Sequence, residues 1–155
     1  TDPAAEKLFA DRTDQEAYRL MMETTLENVK MMDCFQSLGH LDYIVRYGKM
    51  REKTYSCAEY TDVIDEILKQ LIEKGKGLEV NAAGLKYGLP FAHPHPDVLR
   101  RYRELGGEIV TIGADAHKPE HIAYDFGKVE EFLKACGFKY YTEFSKQKPV
   151  FKQLI

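Results

Sequence analysis

The chain has 155 residues, of which 44% are hydrophobic and 30% charged, which is enough for one domain with a proper core. Its net charge of −3 and pI of about 6.0 argue against a nucleic-acid backbone as the main partner, and no apolar run reaches the length of a membrane span. Three widely spaced cysteines, Cys34, Cys57 and Cys136, form neither a disulfide framework nor a CxxC metal knuckle, so we expect a reducing, cytoplasmic setting.

The first predicted element is a helix that begins at a capping box. Thr13 is followed three residues later by Glu16, and an apolar stripe then repeats at helical spacing. The stripe consists of Tyr18, Met22, Leu26 and Val29. A methionine-rich stripe of this kind is typical of a packed core, so we assign the helix a structural role.

A short predicted strand, residues 35–39, leads into the first pair of candidate ligands. His40 and Asp42 follow it at positions i and i+2, although His40 alone is equally consistent with a hydrogen-bonded core histidine. The next loop carries three cations, Arg46, Lys49 and Arg51. Such a run is usually a solvated face, but beside a metal site it can receive a phosphate.

The second strand–helix unit repeats this arrangement. A capping box at Ser56 and Glu59 predicts the helix, and residues 78–81 form the following strand. Glu79 and Asn81 lie at i and i+2, so both point to one side of that strand. For Glu79, an ordinary surface position is an equally good interpretation.

Two histidines, His93 and His95, lie in the segment Ala-His-Pro-His-Pro. The prolines fix an extended loop, so a solvated loop is favoured over a pair of metal ligands, and the role of both histidines stays open. Pro96 then predicts the first turn of a helix that ends at Leu105.

The third predicted strand, residues 109–112, is β-branched throughout and follows a Gly-Gly break, as expected of a buried strand. Asp115 and His117 come next at i and i+2, which places their Cα atoms about 6–7 Å apart in an extended chain. A carboxylate and an imidazole can then converge on one ion or bracket two. The alternative is that Asp115 caps the next helix and His117 is a surface residue.

The chain ends with a helix and a strand. Pro119 predicts the first turn of a helix that runs to Cys136, and residues 138–144 alternate with the period of a strand. Lys148-Pro149 turns the chain into a last short segment, 150–155. One helix, three strand–helix units and a closing strand predict an α/β fold with a parallel sheet, in a single domain that spans residues 1–155.

Three stretches together resemble a known superfamily. They are Gly-His-Leu-Asp (39–42), Leu-Glu-Val-Asn with the later Gly-Leu-Lys (78–81 and 84–86), and Gly-Ala-Asp-Ala-His-Lys-Pro-Glu (113–120). In this order, they are similar to the polymerase and histidinol phosphatase (PHP) superfamily, and closest to its histidinol-phosphatase branch. The resemblance implies a distorted, TIM-like (β/α) barrel of parallel strands that holds two or three divalent ions (zinc, iron or manganese) at its C-terminal mouth.

The resemblance also implies an activity and a set of site residues. The activity is metal-dependent hydrolysis of a phosphomonoester, L-histidinol phosphate, in histidine biosynthesis. The implied metal ligands are His40, Asp115 and His117, and the last two are also implied in catalysis, with Asp115 as a base. The implied substrate-binding residues are Arg46, Lys86, Asn81 and Asp42, of which the cations would hold the phosphate and the others would orient the ligands or the substrate.

The chain departs from the family pattern in two ways. Family members begin with a His-x-His strand and further His and Glu ligands, so we expect only the C-terminal portion of a barrel, completed by an N-terminal half or a second chain. Lys86 stands where the family has arginine, which keeps the charge but loses the bidentate fork. Two alternatives stay open: a catalytically incomplete fragment or structural half-barrel, and a polymerase-associated PHP module that serves as a binding platform.

Overall fold

The computed structural model describes residues 2–155 and contains a three-stranded parallel sheet. In spatial order its strands are β1 (Ser37–Leu38), β2 (Gly77–Asn81) and β3 (Val110–Gly113). The α/β class and the parallel sheet are therefore confirmed. The described chain has no helix with the length and apolarity needed to cross a membrane.

Helices connect the strands and flank them at both ends of the chain. The α-helices are α1 (Pro3–Phe9), α2 (Asp14–Met31), α3 (Thr61–Glu73), α4 (Ala83–Lys86), α5 (Pro96–Glu104) and α6 (Phe126–Ala135). Short 3₁₀ helices are formed by Tyr43–Tyr47, Arg51–Thr54, Cys57–Tyr60 and Pro119–His121. The long loop after β1 is thus a series of 3₁₀ turns that leads into α3.

The helix starts follow local chemistry at some positions and not at others. The capping box of α2 is formed, because Thr13 Oγ1 accepts from the Glu16 amide and the Glu16 carboxylate accepts from the Thr13 amide. The box predicted at Ser56 is wrong, since Ser56 caps nothing and a 3₁₀ turn precedes α3. The helix predicted from Pro119 begins only at Phe126, because left-handed residues at 123 and 125 interrupt it.

The end of the chain is an antiparallel hairpin rather than a single closing strand. Strands β4 (Tyr140–Ser145) and β5 (Lys148–Gln153) pair along their whole length. The turn lies at Lys146 and Gln147, which both have positive φ, of 48° and 64°. Two left-handed residues form the mirror-image turn that matches the twist of a hairpin. The turn predicted at Lys148-Pro149 is therefore wrong, and Pro149 belongs to β5.

The parallel sheet has one apolar and one polar face, because side chains alternate along each strand. The apolar face carries Leu38, Leu78, Val80, Val110 and Ile112, which belong to the core together with residues of α2, α3 and α5. The polar face carries Ser37, Glu79, Asn81 and Thr111. The hydroxyls of Ser37 and Thr111 form a hydrogen bond of 2.9 Å across β2. Gly77, the partner of Ser37 on β2, has no side chain on this face.

Candidate metal and phosphate site

The predicted ligands follow the carboxyl ends of β1 and β3, at one edge of the sheet. His40 lies two residues beyond β1, and Asp115 lies two residues beyond β3. Asn81 ends β2, which runs between them and pairs with Gly113. Parallel strands place their carboxyl ends at the same edge, which is where α/β proteins build their sites.

Asp115 and His117 are brought together by a bent rather than an extended loop. Asp115 has a positive φ of 46°, and His117 Nε2 lies 3.4 Å from its Oδ1. The Asp115 side chain is 23% exposed and the His117 side chain 75% exposed. Asp115 caps no helix, because the 3₁₀ turn that follows begins after Lys118. The capping role for Asp115 is therefore wrong, while His117 does lie at the surface, and the role of the pair as metal ligands stays a prediction.

His40 occupies the other end of this edge. Its backbone has a φ of 29°, and its amide donates to Glu79 Oε2 at 3.0 Å. The imidazole packs against the Tyr43 ring, with centroids 4.7 Å apart. The ring nitrogen Nδ1 is buried and has no hydrogen-bond partner in the described residues. A buried imidazole nitrogen without a partner is suited to bind a metal ion or a ligand atom.

The Glu79 side chain lies on β2 between the ends of β1 and β3, and contacts both. Its Oε2 also accepts from the Asn81 amide group at 3.1 Å, and its Oε1 lies over Gly113, where a Cβ would collide with it. Because Gly113 of β3 has no side chain, the Glu79 carboxylate can lie against its backbone. The interpretation of Glu79 as an ordinary surface residue is wrong, because its side chain holds the His40 backbone.

Arg46 lies in a box of tyrosine rings beside Asp115. Its guanidinium carbon is 5.6, 5.0 and 4.4 Å from the ring centroids of Tyr43, Tyr47 and Tyr87. Nη2 is 3.7 Å from Asp115 Oδ2, while Nη1 is buried and has no partner in the described residues. Cation–π contacts fix the planar fork in place, and a donor is left over for an anion.

Lys86 and Arg51 complete the positive charge near this edge. The Lys86 ammonium donates to the carbonyls of Ala114 and Asp115 at 3.2 and 2.9 Å, and burial lowers its pKa. Arg51 donates to the Tyr87 carbonyl at 2.6 Å. Lys86 therefore braces the loop that carries Asp115, rather than pointing all its donors at a substrate.

A cleft of about 430 Å³ opens at this place, lined by Asp2, Arg46, Tyr47, Arg51, Tyr87 and His117. Two arginines and a histidine line it against a single carboxylate, so its walls favour an anion. Both arginines come from the loop between β1 and α3, whose cations were predicted to be either a solvated face or a phosphate site.

Asp42 lies behind this edge and is fully buried. It accepts from the Tyr55 hydroxyl at 2.9 Å, from His93 at Nδ1 at 2.8 Å and from the His95 amide at 2.8 Å. With these three partners and no exposed area, Asp42 holds the neighbouring loops together, and its role in orienting ligands or the substrate stays a prediction. The side chain of Asn81, which is 2% exposed, accepts from the Ala83 amide through Oδ1 and donates to Glu79 through Nδ2.

The prediction of a solvated loop around His93 is wrong. The His93 side chain has no exposed area, its backbone bridges Asn81 of β2, and its ring is held by the Asp42 carboxylate. No local signal in the sequence indicates this burial, because the partner that causes it lies 51 residues away. His95 is only half buried and accepts from the Asp97 amide at the start of α5.

The predicted ligands at the carboxyl edge of the sheet have the chemistry to bind a divalent metal ion, but they do not all converge on one point. Asp115, His117 and the unpartnered His40 nitrogen are ligands of the types that bind zinc. Their ligand atoms do not all converge within 4.8 Å; in residues 2–155 that condition is met by a different group, Cys57, His95 and Asp97. The role of His40, Asp115 and His117 as metal ligands therefore stays a prediction.

Known proteins similar to this chain are histidinol-phosphatases. No protein-family model matches the chain. It is 40% identical over 131 residues to a probable histidinol-phosphatase of Thermotoga maritima, which covers 81% of this chain and 51% of that protein. It is 30% identical over 143 residues to a histidinol-phosphatase of Lactococcus lactis subsp. lactis, covering 92% of this chain and 52% of the relative.

A solved structure agrees with these relatives. The crystal structure of a Lactococcus lactis histidinol phosphate phosphatase, in complex with zinc, L-histidinol and phosphate, superposes with a TM-score of 0.75 at 28% identity. The match covers 93% of this chain and 54% of that one. The chain therefore spans about half the length of the relatives it matches. Over that span the chain is homologous to the histidinol-phosphatases, which confirms the resemblance carried by its motifs.

Proposed function

We propose that this chain forms part of a metal-dependent phosphomonoester hydrolase that acts on L-histidinol phosphate. The observation that carries the proposal is the ion pair of Arg46 with Asp115, whose other carboxylate oxygen faces His117, at the edge where His40 also lies. An anion-binding fork next to metal-type ligands is the arrangement that phosphate hydrolysis needs. The similar Lactococcus structure holds zinc, L-histidinol and phosphate, which supports the same substrate class here.

The arginine side chains would bind the phosphate, and the surrounding tyrosine rings would keep the Arg46 guanidinium in position. Arg46 offers a buried donor without a partner, and Arg51 lines the same cleft. Arginine binds phosphate in a bidentate manner, so the fork would also orient the ester for attack from one side. Lys86 would keep Asp115 in its bent conformation through the two carbonyls it binds.

His40, Asp115 and His117 would hold divalent ions, which we propose number two or three and are zinc, iron or manganese. Such ions lower the pKa of a bound water toward neutrality and neutralise phosphate oxygens. Asp115 would accept the proton of the attacking water, since its carboxylate is only partly exposed and lies between His117 and Arg46. Asp42 and Asn81 would fix the loops that carry these groups.

The remaining ligands would come from outside this span. The chain covers about half of each relative, and the polar face of its sheet is partly exposed. We infer that the C-terminal part of a TIM-like PHP barrel is completed by a segment equivalent to the other half of the relatives, or by a second chain. A role as a structural half-barrel or a polymerase-associated binding module is the alternative.

The test is phosphate release from histidinol phosphate by this chain mixed with the half of the Thermotoga relative that it does not match. We expect turnover from the mixture and little from either part alone. Asp115→Asn should lower kcat by about a thousandfold, because it removes an anionic ligand and the base together. Asp125→Asn, which changes a carboxylate that is partly exposed like that of Asp115 and is paired with Lys128, is the matched control.

Arg46→Ala should chiefly raise KM, by about 10- to 100-fold, since a charged hydrogen bond to phosphate contributes about 1.5–3 kcal/mol. Arg46→Lys keeps the charge and should recover only part of the loss. Full turnover by Asp115→Asn would contradict the proposed ligand and base. Metal binding without turnover in any mixture would favour the binding-module alternative.

A further inference from the structure

A second group of metal-type ligands lies away from the edge that carries His40 and Asp115. Cys57 opens the 3₁₀ turn before α3, and His95 and Asp97 flank the first residue of α5. One ligand atom from each lies within 4.8 Å of the others. The two helix starts therefore bring a thiol, an imidazole and a carboxylate to one place.

We propose that Cys57, His95 and Asp97 form a second metal site, which takes a zinc-class divalent ion. Sulfur, nitrogen and oxygen donors in one set suit Zn²⁺, whereas Mg²⁺ and Ca²⁺ prefer oxygen alone. Three protein ligands leave a fourth tetrahedral position for water. The proposal goes beyond the hydrolase proposed above, whose site contains no sulfur ligand.

Neighbouring residues orient Asp97 and His95. Arg100 Nη1 donates to Asp97 Oδ1 at 2.6 Å, and Oδ2 lies 3.6 Å from His95 Nδ1, which also accepts from the Asp97 amide at 3.1 Å. The His95 ring packs edge-on against Phe91, with centroids 4.6 Å apart. Hydrogen bonds to ligating carboxylates and packing around imidazoles are the usual supports of metal sites.

Cys57 is also connected by hydrogen bonds to the buried Asp42. Its thiol donates to the Tyr55 hydroxyl at 3.6 Å, and Tyr55 donates to Asp42 at 2.9 Å. Burial raises the pKa of the thiol to about 12, so without an ion the sulfur stays protonated. On binding, the S–H bond breaks, the proton leaves to solvent and the sulfur donates its electron pair to the ion.

Binding at such a site adds one positive charge. A divalent ion brings two positive charges and the Cys57 thiol releases one proton, while Asp97 stays paired with Arg100. An ion held here would link the 3₁₀ turn before α3 to the start of α5, and would stabilise the fold rather than act on the substrate.

The test uses the metal-free chain titrated with Co²⁺, which reports a sulfur ligand by a thiolate charge-transfer band in the near ultraviolet. We expect the band in the wild type and in Cys34→Ser, which changes an exposed free cysteine. Cys57→Ser should abolish it. Asp97→Asn should weaken Co²⁺ and Zn²⁺ binding by more than about tenfold, because even partners outside the ligand set cost about 10- to 100-fold in affinity.

Two further variants separate this site from the proposed catalytic one. Asp115→Asn should leave the thiolate band unchanged, so loss of phosphatase activity does not bear on the result. Asp62→Asn, at the first turn of α3 and paired with Arg19, is the control for Asp97→Asn. If Cys57→Ser fails to fold, the Co²⁺ and Zn²⁺ affinity of Asp97→Asn tests the proposal in its place. Absence of the band in the wild type, its survival in Cys57→Ser, or unchanged affinity in Asp97→Asn would overturn the proposal.

Discussion

The two faces of the parallel sheet differ sharply, although they alternate along the same three strands. On one face Leu78 and Val80 have no exposed area, and on the other Ser37, Glu79 and Thr111 are partly exposed. Parallel sheets usually bury both faces with apolar side chains. The difference indicates that the apolar face supplies the stability of the fold and the polar face supplies the site, so that each can be changed separately.

The largest expected change in stability comes from the apolar face. Leu78→Ala should lower the free energy of unfolding by about 3 kcal/mol, because it leaves a cavity at the centre of the core. Leu20→Ala, at a position 36% exposed on α2, should cost less than about 0.5 kcal/mol. Urea unfolding followed by circular dichroism measures both. Equal losses would show that the sheet is not the core.

An intermediate effect is expected on the polar face. Glu79→Ala removes the acceptor of the His40 amide and the Asn81 side chain, and should cost about 1.5 kcal/mol in the same assay. The amide resonance of His40 should shift as its loop relaxes. Glu143→Ala, on the exposed hairpin, is the control and should change little. An unmoved His40 resonance would mean that Glu79 does not hold this loop.

The smallest effect concerns the helices over the apolar face. Asp65 of α3 binds Arg101 of α5 through two hydrogen bonds, of 2.8 and 2.7 Å, and this pair lowers the pKa of Asp65. Asp65→Asn should cost about 1 kcal/mol at neutral pH, the upper end for a pair that is partly solvated.

The pH dependence of that difference has a defined sign. The folded-state pKa of Asp65 is below its ordinary value of 3.8, so the contribution is present above that value and is lost as the pH falls through the folded-state pKa. The stabilities of the wild type and Asp65→Asn should therefore begin to approach each other as the pH falls below about 3.8, and should meet below the folded-state pKa. A difference that persists below the folded-state pKa would place its origin in packing.

Much of the strand order and the edge that carries the site could be predicted from local sequence. Gly39 follows the first strand and Gly113 ends the third, and ligand-type side chains follow each glycine. Carboxyl ends of parallel strands meet at one edge whatever the rest of the fold does. The roles of His40, Asp115 and His117 as metal ligands stay predictions.

Features set by distant partners could not be predicted. His93 is buried by Asp42 and Asn81, and the prolines around it indicate only an extended loop. The hairpin turn at Lys146-Gln147 lacks the Asn-Gly signal that usually marks two left-handed residues, so pairing with the other strand decides its position. Long-range contacts outweigh local preference at both places.

The tyrosine box around Arg46 gives the molecule an optical reporter of its own. The chain contains ten tyrosines and no tryptophan, so its near-ultraviolet absorption and circular dichroism arise chiefly from tyrosine. Three of those rings lie against one guanidinium. An anion that draws this cation toward the cleft changes the field at all three chromophores together, so ligand arrival can be followed without a label.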